Sequence, residues 1–347
     1  MEKVRLGKTE MMVSKLAFGG IPIQRCPGDE AVSVVRRCIE KGVTYFDTAN
    51  GYTNSEGDIG KAIVGCRKDL ILASKTRGRN RKEVENHLKL SLERLGVDYI
   101  DLYQFHDVSK FETLEQILAP NGPLDTLKDA KKAGKIRHIG VTCHSMDVAK
   151  EAVKSDRFET IMFPFNFITC EPADELLPLA KKHDVGFLAM KPLNGGVIEN
   201  VTIAFKYLLK FPDIVPVVGI EKTREIDEIV NILEGSRKIT RAEQKEMQRL
   251  KDELGTRFCR RCDYCQPCTE EIPISTVLGV PALFKRVPPE VAFSPMFSAP
   301  MDKATNCAKC GNCEARCPFG LPIMEMIEKN SNFYQAEKKK YLKAKAK

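Results

Sequence analysis

Four polar side chains in the first third of the chain could together deliver a proton to a small molecule. Each follows a short apolar segment, and the four are Asp47, Tyr52, Lys75 and His106. A buried lysine needs an acidic partner because a lone buried charge is costly, and Asp47 could supply that partner. A nearby ammonium favours phenolate, so Lys75 is expected to lower the pKa of Tyr52. Such a tyrosine can donate a proton to a carbonyl oxygen while hydride reaches the carbon, and His106 can orient the carbonyl or share the proton.

Each of these residues also has an ordinary structural interpretation. Tyr52 alone could anchor a loop, and Lys75 alone could be a solvated strand end. His106 alone could be a histidine that satisfies a hydrogen bond in the core. Because all four residue types occur at the ends of neighbouring apolar segments, the chemical interpretation is favoured over separate structural roles for Tyr52, Lys75 and His106.

A second set of reactive side chains lies near the end of the chain. Of the 13 cysteines, eight form one dense block with two groups, Cys259-x2-Cys262-x2-Cys265-x2-Cys268 and Cys307-x2-Cys310-x2-Cys313-x3-Cys317-Pro318. The second group has the spacing by which thiolates of bacterial ferredoxins bind [4Fe–4S] clusters. The first differs by one residue in its last gap, and Thr269 replaces the proline. An Ile/Leu-Pro-Ile segment follows both groups at the same offset, which indicates an internal repeat.

Zinc and disulfides are the alternative uses of such a block. Zinc sites usually separate two C-x2-C units by a longer gap, and disulfide scaffolds are short and secreted. We therefore expect iron–sulfur chemistry, with two clusters, or with one cluster and a partly empty first group. By analogy with ferredoxins, the ligands of one cluster would be Cys259, Cys262, Cys265 and Cys317, and those of the other Cys268, Cys307, Cys310 and Cys313.

Composition limits the class of protein. The 347 residues are 29% charged and 43% hydrophobic, as in folded soluble proteins. No apolar run approaches the roughly 18 residues of a membrane span, and the N-terminus lacks the apolar region of a signal peptide. The net charge is +8, and the basic residues are scattered except after Pro318, where seven Lys accompany three Glu. This basic tail is either solvated or a docking surface for an acidic partner. We expect a cytoplasmic protein without nucleic-acid or membrane partners.

The elements that must position these residues follow an alternating pattern. Eight short, apolar, β-branched segments each precede an amphipathic one within about 220 residues. The expected strands are 15–18, 43–46, 70–73, 99–103, 136–141, 160–163, 185–189 and 214–218. This pattern fits an α/β fold, a (β/α)8 TIM barrel, better than an open sheet, and no G-x-G-x-x-G follows any strand. In such a barrel, functional residues lie at the C-terminal ends of the strands.

Over about residues 1–235, the sequence resembles the aldo-keto reductase family. The matching motifs are Tyr45-Phe46-Asp47-Thr48-Ala49-Asn50-Gly51-Tyr52 with Lys75 and His106, the opening hairpin at 5–9 and the strand-five entry at 134–141. In the family the hairpin plugs the barrel bottom. The resemblance implies an NAD(P)H-dependent carbonyl reductase or alcohol dehydrogenase in which Tyr52 is the general acid/base.

The resemblance also implies a site for NADP(H) or NAD(H). The residues that match this site are Gly19, Thr142, Asn166, Lys191, Lys222, Arg224 and Glu228. The sequence departs from the family at Cys143, where asparagine is common, and at Met162, where glutamine is common. Lys222 and Arg224 could grip the adenosine 2′-phosphate, or they could be the solvated first turn of a helix.

We expect two domains, a barrel over residues 1–236 and a helix plus a small ferredoxin-like iron–sulfur domain over residues 237–347. The leading hypothesis is an oxidoreductase that reduces a small carbonyl compound, with clusters that exchange electrons with a ferredoxin or another one-electron carrier. The alternatives are an electron-transfer or partner-binding protein on a catalytically degenerate barrel, and clusters that are purely structural. Hydride transfer moves two electrons and each cluster takes one, so direct exchange between them would call for a flavin.

Overall fold

The structure, a computed structural model, describes residues 1–345. The chain divides into two compact units, Met1–Thr240 and a second unit that begins at Arg241. The boundary expected from the sequence follows residue 236. No helix within residues 1–345 is long and apolar enough to cross a membrane.

A hairpin opens the first unit. Its strands are β1 (Lys3–Arg5) and β2 (Met12–Ser14), which pair antiparallel. Between them Leu6 is buried and packs in one apolar cluster with Tyr45, Leu102 and Leu188 from the strands that follow. The hairpin therefore closes the barrel interior with apolar side chains, as expected for the segment around Gly7.

Eight parallel strands form a closed barrel. They are β3 (Ala17–Gly19), β4 (Tyr45–Asp47), β5 (Ile71–Thr76), β6 (Ile100–Phe105), β7 (Ile136–Thr142), β8 (Thr160–Pro164), β9 (Gly186–Met190) and β10 (Ile214–Gly219). Each pairs with its neighbours in chain order, and β10 closes the barrel on β3. All six residues of β6 are buried, as is usual for a parallel strand with helices outside and side chains inside. The predicted eight-stranded barrel is confirmed.

Nine helices accompany these strands in residues 1–240. They are α1 (Gly28–Glu40), α2 (Ser55–Ala62), α3 (Arg81–Leu95), α4 (Phe111–Leu118), α5 (Pro123–Lys132), α6 (Met146–Lys154), α7 (Leu176–Lys182), α8 (Val201–Leu208) and α9 (Thr223–Glu234). The sequence pattern did not predict α4, whose Leu114 and Ile117 are buried three positions apart. Pro123 at the start of α5 separates the two helices, because proline is favoured in a first helical turn.

The second unit is helical. Its helices are α10 (Arg241–Leu254), α11 (Ile274–Leu278), α12 (Val280–Leu283), α13 (Pro289–Ala292), α14 (Pro295–Ala304), α15 (Asn312–Ala315) and α16 (Ile323–Lys345), and residues 241–345 contain no strand. Tyr334 of α16 is fully buried, with its ring 5.4 Å from that of Phe293. Met301 and Val277 join the same core. This small apolar core includes several of the cysteines at its edge.

Close packing inside the barrel makes Gly140→Ala a strongly unfavourable change. A Cβ at this position of β7 would lie 2.2 Å from the Thr160 hydroxyl and 3.1 Å from Cγ of Gln104. We expect a loss of about 1–3 kcal/mol of stability, seen as a fall of several degrees in the melting temperature of the intact chain. The matched control is Gly57→Ala in α2, where a Cβ meets nothing within 4 Å. That variant should melt at the wild-type temperature or above, and an equal fall in both would contradict the packing argument.

Candidate active site

The four residues singled out from the sequence meet at the C-terminal ends of three adjacent strands. Asp47 ends β4, Lys75 lies near the end of β5, and His106 follows β6 directly. These strands pair side by side, so their C-terminal ends are neighbours. Tyr52 lies in the loop between β4 and α2. The barrel therefore brings together residues that lie up to 59 positions apart in the sequence.

A buried ion pair lies at the centre of this group. The side chains of Lys75 and Asp47 are 2% and 5% exposed, and the Lys75 ammonium donates to a carboxylate oxygen of Asp47. Lys75 also donates to the carbonyl of Thr48 at 2.7 Å. Burial alone would lower the pKa of Lys75, but the interactions of the ammonium with Asp47 and Tyr52 together outweigh burial and raise it. Lys75 is therefore a permanent cation at neutral pH.

Gln104 completes the surroundings of Asp47, although the sequence alone assigns it no role. Its amide nitrogen donates to the second carboxylate oxygen of Asp47 at 3.0 Å. Gln104 is fully buried on β6, directly opposite Lys75 in the pairing of β5 with β6. A polar residue two positions before His106 in an apolar strand was the available signal, because alternate residues of a strand share a face.

Tyr52 lies against both the cation and the histidine. The Lys75 nitrogen is 5.1 Å from the centre of the Tyr52 ring, and the Tyr52 and His106 rings meet edge to face at 5.7 Å. Lys75 lowers the pKa of Tyr52, as expected, but the net shift of this pKa is upward. Burial of the phenol raises this pKa and outweighs the lowering that Lys75 causes. Tyr52 is therefore a phenol at neutral pH and keeps the proton that it would have to donate.

His106 is held in its neutral form. Burial lowers its pKa well below the usual value, and the Lys75 cation lowers it further. Its backbone is fixed by an N–H bond to the Thr76 carbonyl at 2.8 Å and by Arg79, which donates to the His106 carbonyl at 2.6 Å. The ring nitrogen Nδ1 is buried and has no partner within residues 1–345. A neutral imidazole can donate one N–H to a carbonyl oxygen and cannot act as a cationic acid.

The positions expected to hold the nicotinamide nucleotide also follow barrel strands. Gly19 and Thr142 end β3 and β7, and Asn166, Lys191 and the group at Lys222, Arg224 and Glu228 follow β8, β9 and β10. Lys222, Arg224 and Glu228 are exposed at the start of α9. Their placement at the same end as Tyr52 is compatible with the expected roles, which stay predictions.

Thr142 and Asn166 form hydrogen bonds that stabilise the loops of this region. The Thr142 hydroxyl accepts a hydrogen bond from the Asp107 N–H at 2.8 Å. The Asn166 side chain accepts from the N–H groups of Ile168 and Thr169, both at 2.9 Å, and donates to the Lys191 carbonyl at 3.0 Å. These bonds brace the loops after β7, β8 and β9, which sequence spacing alone could not show.

The sequence profile of the Aldo/keto reductase family matches residues 15–203. The chain belongs to this family. The matched segment contains Asp47, Tyr52, Lys75 and His106, and so covers the whole group assembled at the ends of β4, β5 and β6.

Individual family members are moderately similar to this aldo/keto reductase. The chain is 29% identical over 214 residues to the uncharacterized oxidoreductase YqkF of Bacillus subtilis, which covers 58% of this chain and 67% of that protein. It is 32% identical over 215 residues to the L-galactose dehydrogenase of Arabidopsis thaliana, which covers 56% of this chain and 66% of that protein. The chain thus spans about two thirds of the length of these relatives.

Solved structures show the same fold. The holo form of an aldo-keto reductase from Bacillus halodurans superposes with a TM-score of 0.62 at 25% identity. The superposition covers 72% of this chain and 96% of that one. The shared part is therefore nearly the whole of the Bacillus halodurans chain and about the length of the first unit here.

The cysteine block of the second unit brings distant thiols together. Within residues 1–345, none of the 13 cysteines forms a disulfide. One pocket is lined by four of them, Cys268, Cys307, Cys310 and Cys313. Separately, Cys262 lies close enough to Cys317 for an electrostatic interaction, and Cys265 does so with Cys259 and Cys262. These two groupings have the same members as the ligand sets expected from the ferredoxin analogy, and the ligand roles of these cysteines stay predictions.

A single metal ion does not fit this arrangement as it stands. Within residues 1–345, no three His, Cys, Asp or Glu side chains converge on a position for one ion. A four-iron cluster spreads its thiolate ligands around a larger body than one ion does, and unpaired cysteines around a shared pocket are the donors that it needs. Thiols around a shared pocket are therefore chemically suited to hold such a cluster.

The neutral state of His106 has a consequence for stability against pH. The unfolded chain takes up a proton at this residue near pH 6.5, whereas the folded chain resists it until the pH is much lower. Because the unfolded state then binds more protons, stability should fall as the pH drops below about 6.5. When the pH is lowered from about 7.5 to about 5.5, we expect the melting temperature of His106→Gln to fall less than that of wild type.

The matched control for this experiment is His183→Gln, a histidine that pairs with Asp156 at 3.0 Å. That variant should retain at least the wild-type fall in melting temperature. Equal falls in wild type and His106→Gln would show that His106 titrates normally.

Proposed function

We propose that the barrel reduces an aldehyde or ketone to an alcohol with a nicotinamide nucleotide, with Tyr52 as the proton donor. The observation that carries this proposal is the contact of Tyr52 with both the Lys75 cation and the neutral His106. When bound, the reduced nucleotide supplies a hydride to the carbonyl carbon. The Tyr52 O–H proton goes to the carbonyl oxygen, and Lys75 stabilises the tyrosinate that remains. His106 can donate an N–H to the same oxygen and so orient the carbonyl.

NADP(H) is the proposed nucleotide, with NAD(H) as the alternative. Lys222 and Arg224 are the cations at the start of α9, where the family resemblance places the adenosine 2′-phosphate. Both are exposed, so a charge-assisted bond to that phosphate would displace only water. The Glu225 carboxylate, which accepts from the N–H groups of Glu221 and Lys222 at 2.8 and 3.1 Å, fixes this turn.

We further propose that the cysteine block holds two [4Fe–4S] clusters. The ligands of one would be Cys259, Cys262, Cys265 and Cys317, and those of the other Cys268, Cys307, Cys310 and Cys313. The support is the repeated spacing and the pocket that the second set lines. When present, the clusters supply one-electron transfer, and the thiolates hold them. Such clusters persist in a reducing compartment, which agrees with the proposed cytoplasmic location.

The partner proposed for the clusters is an acidic one-electron carrier such as a ferredoxin. Its docking surface would be α16, whose C-terminal half carries Lys338, Lys339, Lys340 and Lys343. Complementary charge speeds the encounter of two proteins. If the clusters are instead purely structural, dithionite will not reduce them.

Tyr52→Phe should remove most carbonyl reduction while leaving nucleotide binding near normal. The phenylalanine keeps the ring against Lys75 and His106 and loses only the hydroxyl, which carries the proton. General acids contribute roughly 10²–10⁴-fold to rate, and we expect a loss in kcat of that size with a simple aldehyde. Fluorescence titration with NADPH and NADH checks binding. The control is Tyr99→Phe, at a tyrosine outside this group. The centre of the Tyr99 ring lies 4.3 and 4.0 Å from the guanidinium carbons of Arg67 and Arg137. A loss below about fivefold in Tyr52→Phe would rule out the proton role.

Iron analysis tests the cysteine proposal. Protein purified without oxygen should contain about eight irons and as many sulfides per chain, and Cys313→Ala should lose about half of both. The control is Cys66→Ser, a half-buried thiol far in sequence from the block. Aldehyde reduction should survive in Cys313→Ala, because the proposed hydride step uses only barrel residues. Zinc in place of iron, or unchanged iron in Cys313→Ala, would refute the ligand sets.

A further inference from the structure

We propose that Arg77 binds an anionic oxygen group of the substrate, so that the preferred carbonyl compounds carry a carboxylate or a phosphate. This inference rests on the proposed carbonyl reduction and names the substrate class for it. Nothing in the four-residue group itself selects a charged substrate, because Tyr52 and His106 both address the carbonyl.

The position of Arg77 places it beside the reacting group. It directly follows β5, two positions after Lys75. Arg77 therefore lies at the C-terminal end of the barrel, where Lys75 and His106 also lie. The Arg77 charge reaches both the Tyr52 hydroxyl and the His106 ring. A group bound by Arg77 would therefore be attached to the same small molecule as the carbonyl.

Arg77 has a free guanidinium, in contrast to the arginine next to it. Within residues 1–345, Arg77 has no hydrogen bond or ion pair to the protein, and it is exposed. Arg79 is fixed by bonds to the carbonyls of His106 and Gly78, at 2.6 and 3.2 Å. The nearby carboxylate of Asp107 already accepts from the Ser109 hydroxyl at 3.1 Å and lies 3.1 Å from a ring nitrogen of His144. No neighbouring acid is therefore committed to Arg77.

The electrostatics of this corner favour an anion. Arg77 and Arg79 lie in each other's field, and each cation is unfavourable for the other. Lys75 is close by, but Asp47 neutralises it. An incoming carboxylate or phosphate would offset the repulsion between the two arginines, and a guanidinium can hold either group through two parallel N–H···O bonds. A ligand that carries an oxyanion would therefore balance the positive charges of Arg77 and Arg79.

Matched pairs of aldehydes test this inference on the whole chain. One pair is succinic semialdehyde and its methyl ester, and the other is glyceraldehyde phosphate and glyceraldehyde. We expect wild type to prefer the charged member of at least one pair by about tenfold in kcat/KM, which is the scale of one charge-assisted bond. Arg77→Gln should lower this preference to within about twofold by raising KM for the charged member only. The pair that responds distinguishes a carboxylate from a phosphate.

The control keeps the overall charge equal. Arg36 is an exposed arginine of α1 with no partner in the described chain, so Arg36→Gln loses the same positive charge away from the candidate site. That variant should keep the wild-type preference. A preference that survives in Arg77→Gln, or falls equally in Arg36→Gln, would overturn the inference. Weaker NADPH binding in Arg77→Gln with no change in substrate preference would also overturn it, because Arg77 would then hold the nucleotide.

A binding measurement separates this inference from the proposed reaction. Calorimetric titration with γ-hydroxybutyrate, the alcohol product of succinic semialdehyde, needs no turnover. Wild type should bind it at least about fivefold more tightly than Arg77→Gln does. If wild type reduces none of the four aldehydes with either nucleotide, the proposed function fails, and this titration still decides whether Arg77 binds the anion. Equal binding of γ-hydroxybutyrate by the two proteins would rule out a carboxylate at Arg77, and equal binding of glycerol phosphate, the alcohol product of glyceraldehyde phosphate, would rule out a phosphate. Both results together would refute the role of Arg77.

Discussion

The ion pair between Lys75 and Asp47 is the interaction on which the candidate active site depends. Removing two charges from water costs several kcal/mol for each, and their attraction offsets this only when the remaining hydrogen-bonding groups are satisfied. Here the Thr48 carbonyl accepts from Lys75, and the Gln104 amide donates to Asp47. The barrel can tolerate a buried cation at this edge because three adjacent strands supply those partners together.

This cation then determines the states of the two rings beside it. Burial raises the pKa of Tyr52 more than Lys75 lowers it, so the residue retains its proton. The same burial and the same cation both act against a charge on His106. The site therefore contains one fixed positive charge, one neutral acid and one neutral hydrogen-bond donor. That combination suits the polarisation and protonation of a carbonyl oxygen, which gains negative charge as hydride arrives.

In the second unit, the fold of the segment between the two cysteine groups determines which thiols lie together. Cys268 lies about forty residues before Cys307, yet both line one pocket. Three of the helices between them, α11, α12 and α14, pack on α16 around buried residues such as Val277 and Met301. Folding of this intervening segment therefore brings thiols from the two halves of the repeat together, an arrangement that neither half could form alone.

The sequence by itself determined which elements form and which residues are candidates. The alternation of short apolar segments with amphipathic ones predicted all eight barrel strands. The helix α4 was not predicted, because it is a second helix between β6 and β7 and the alternating pattern assigns one helix to each strand. Only the tertiary structure decided the protonation of Tyr52, because its pKa depends on the balance of burial against the Lys75 charge. Only the tertiary structure assigned Gln104 to Asp47, because this placement depends on the register of β5 and β6. Residue types and periods are local properties of the chain, whereas burial and register exist only after the barrel has closed.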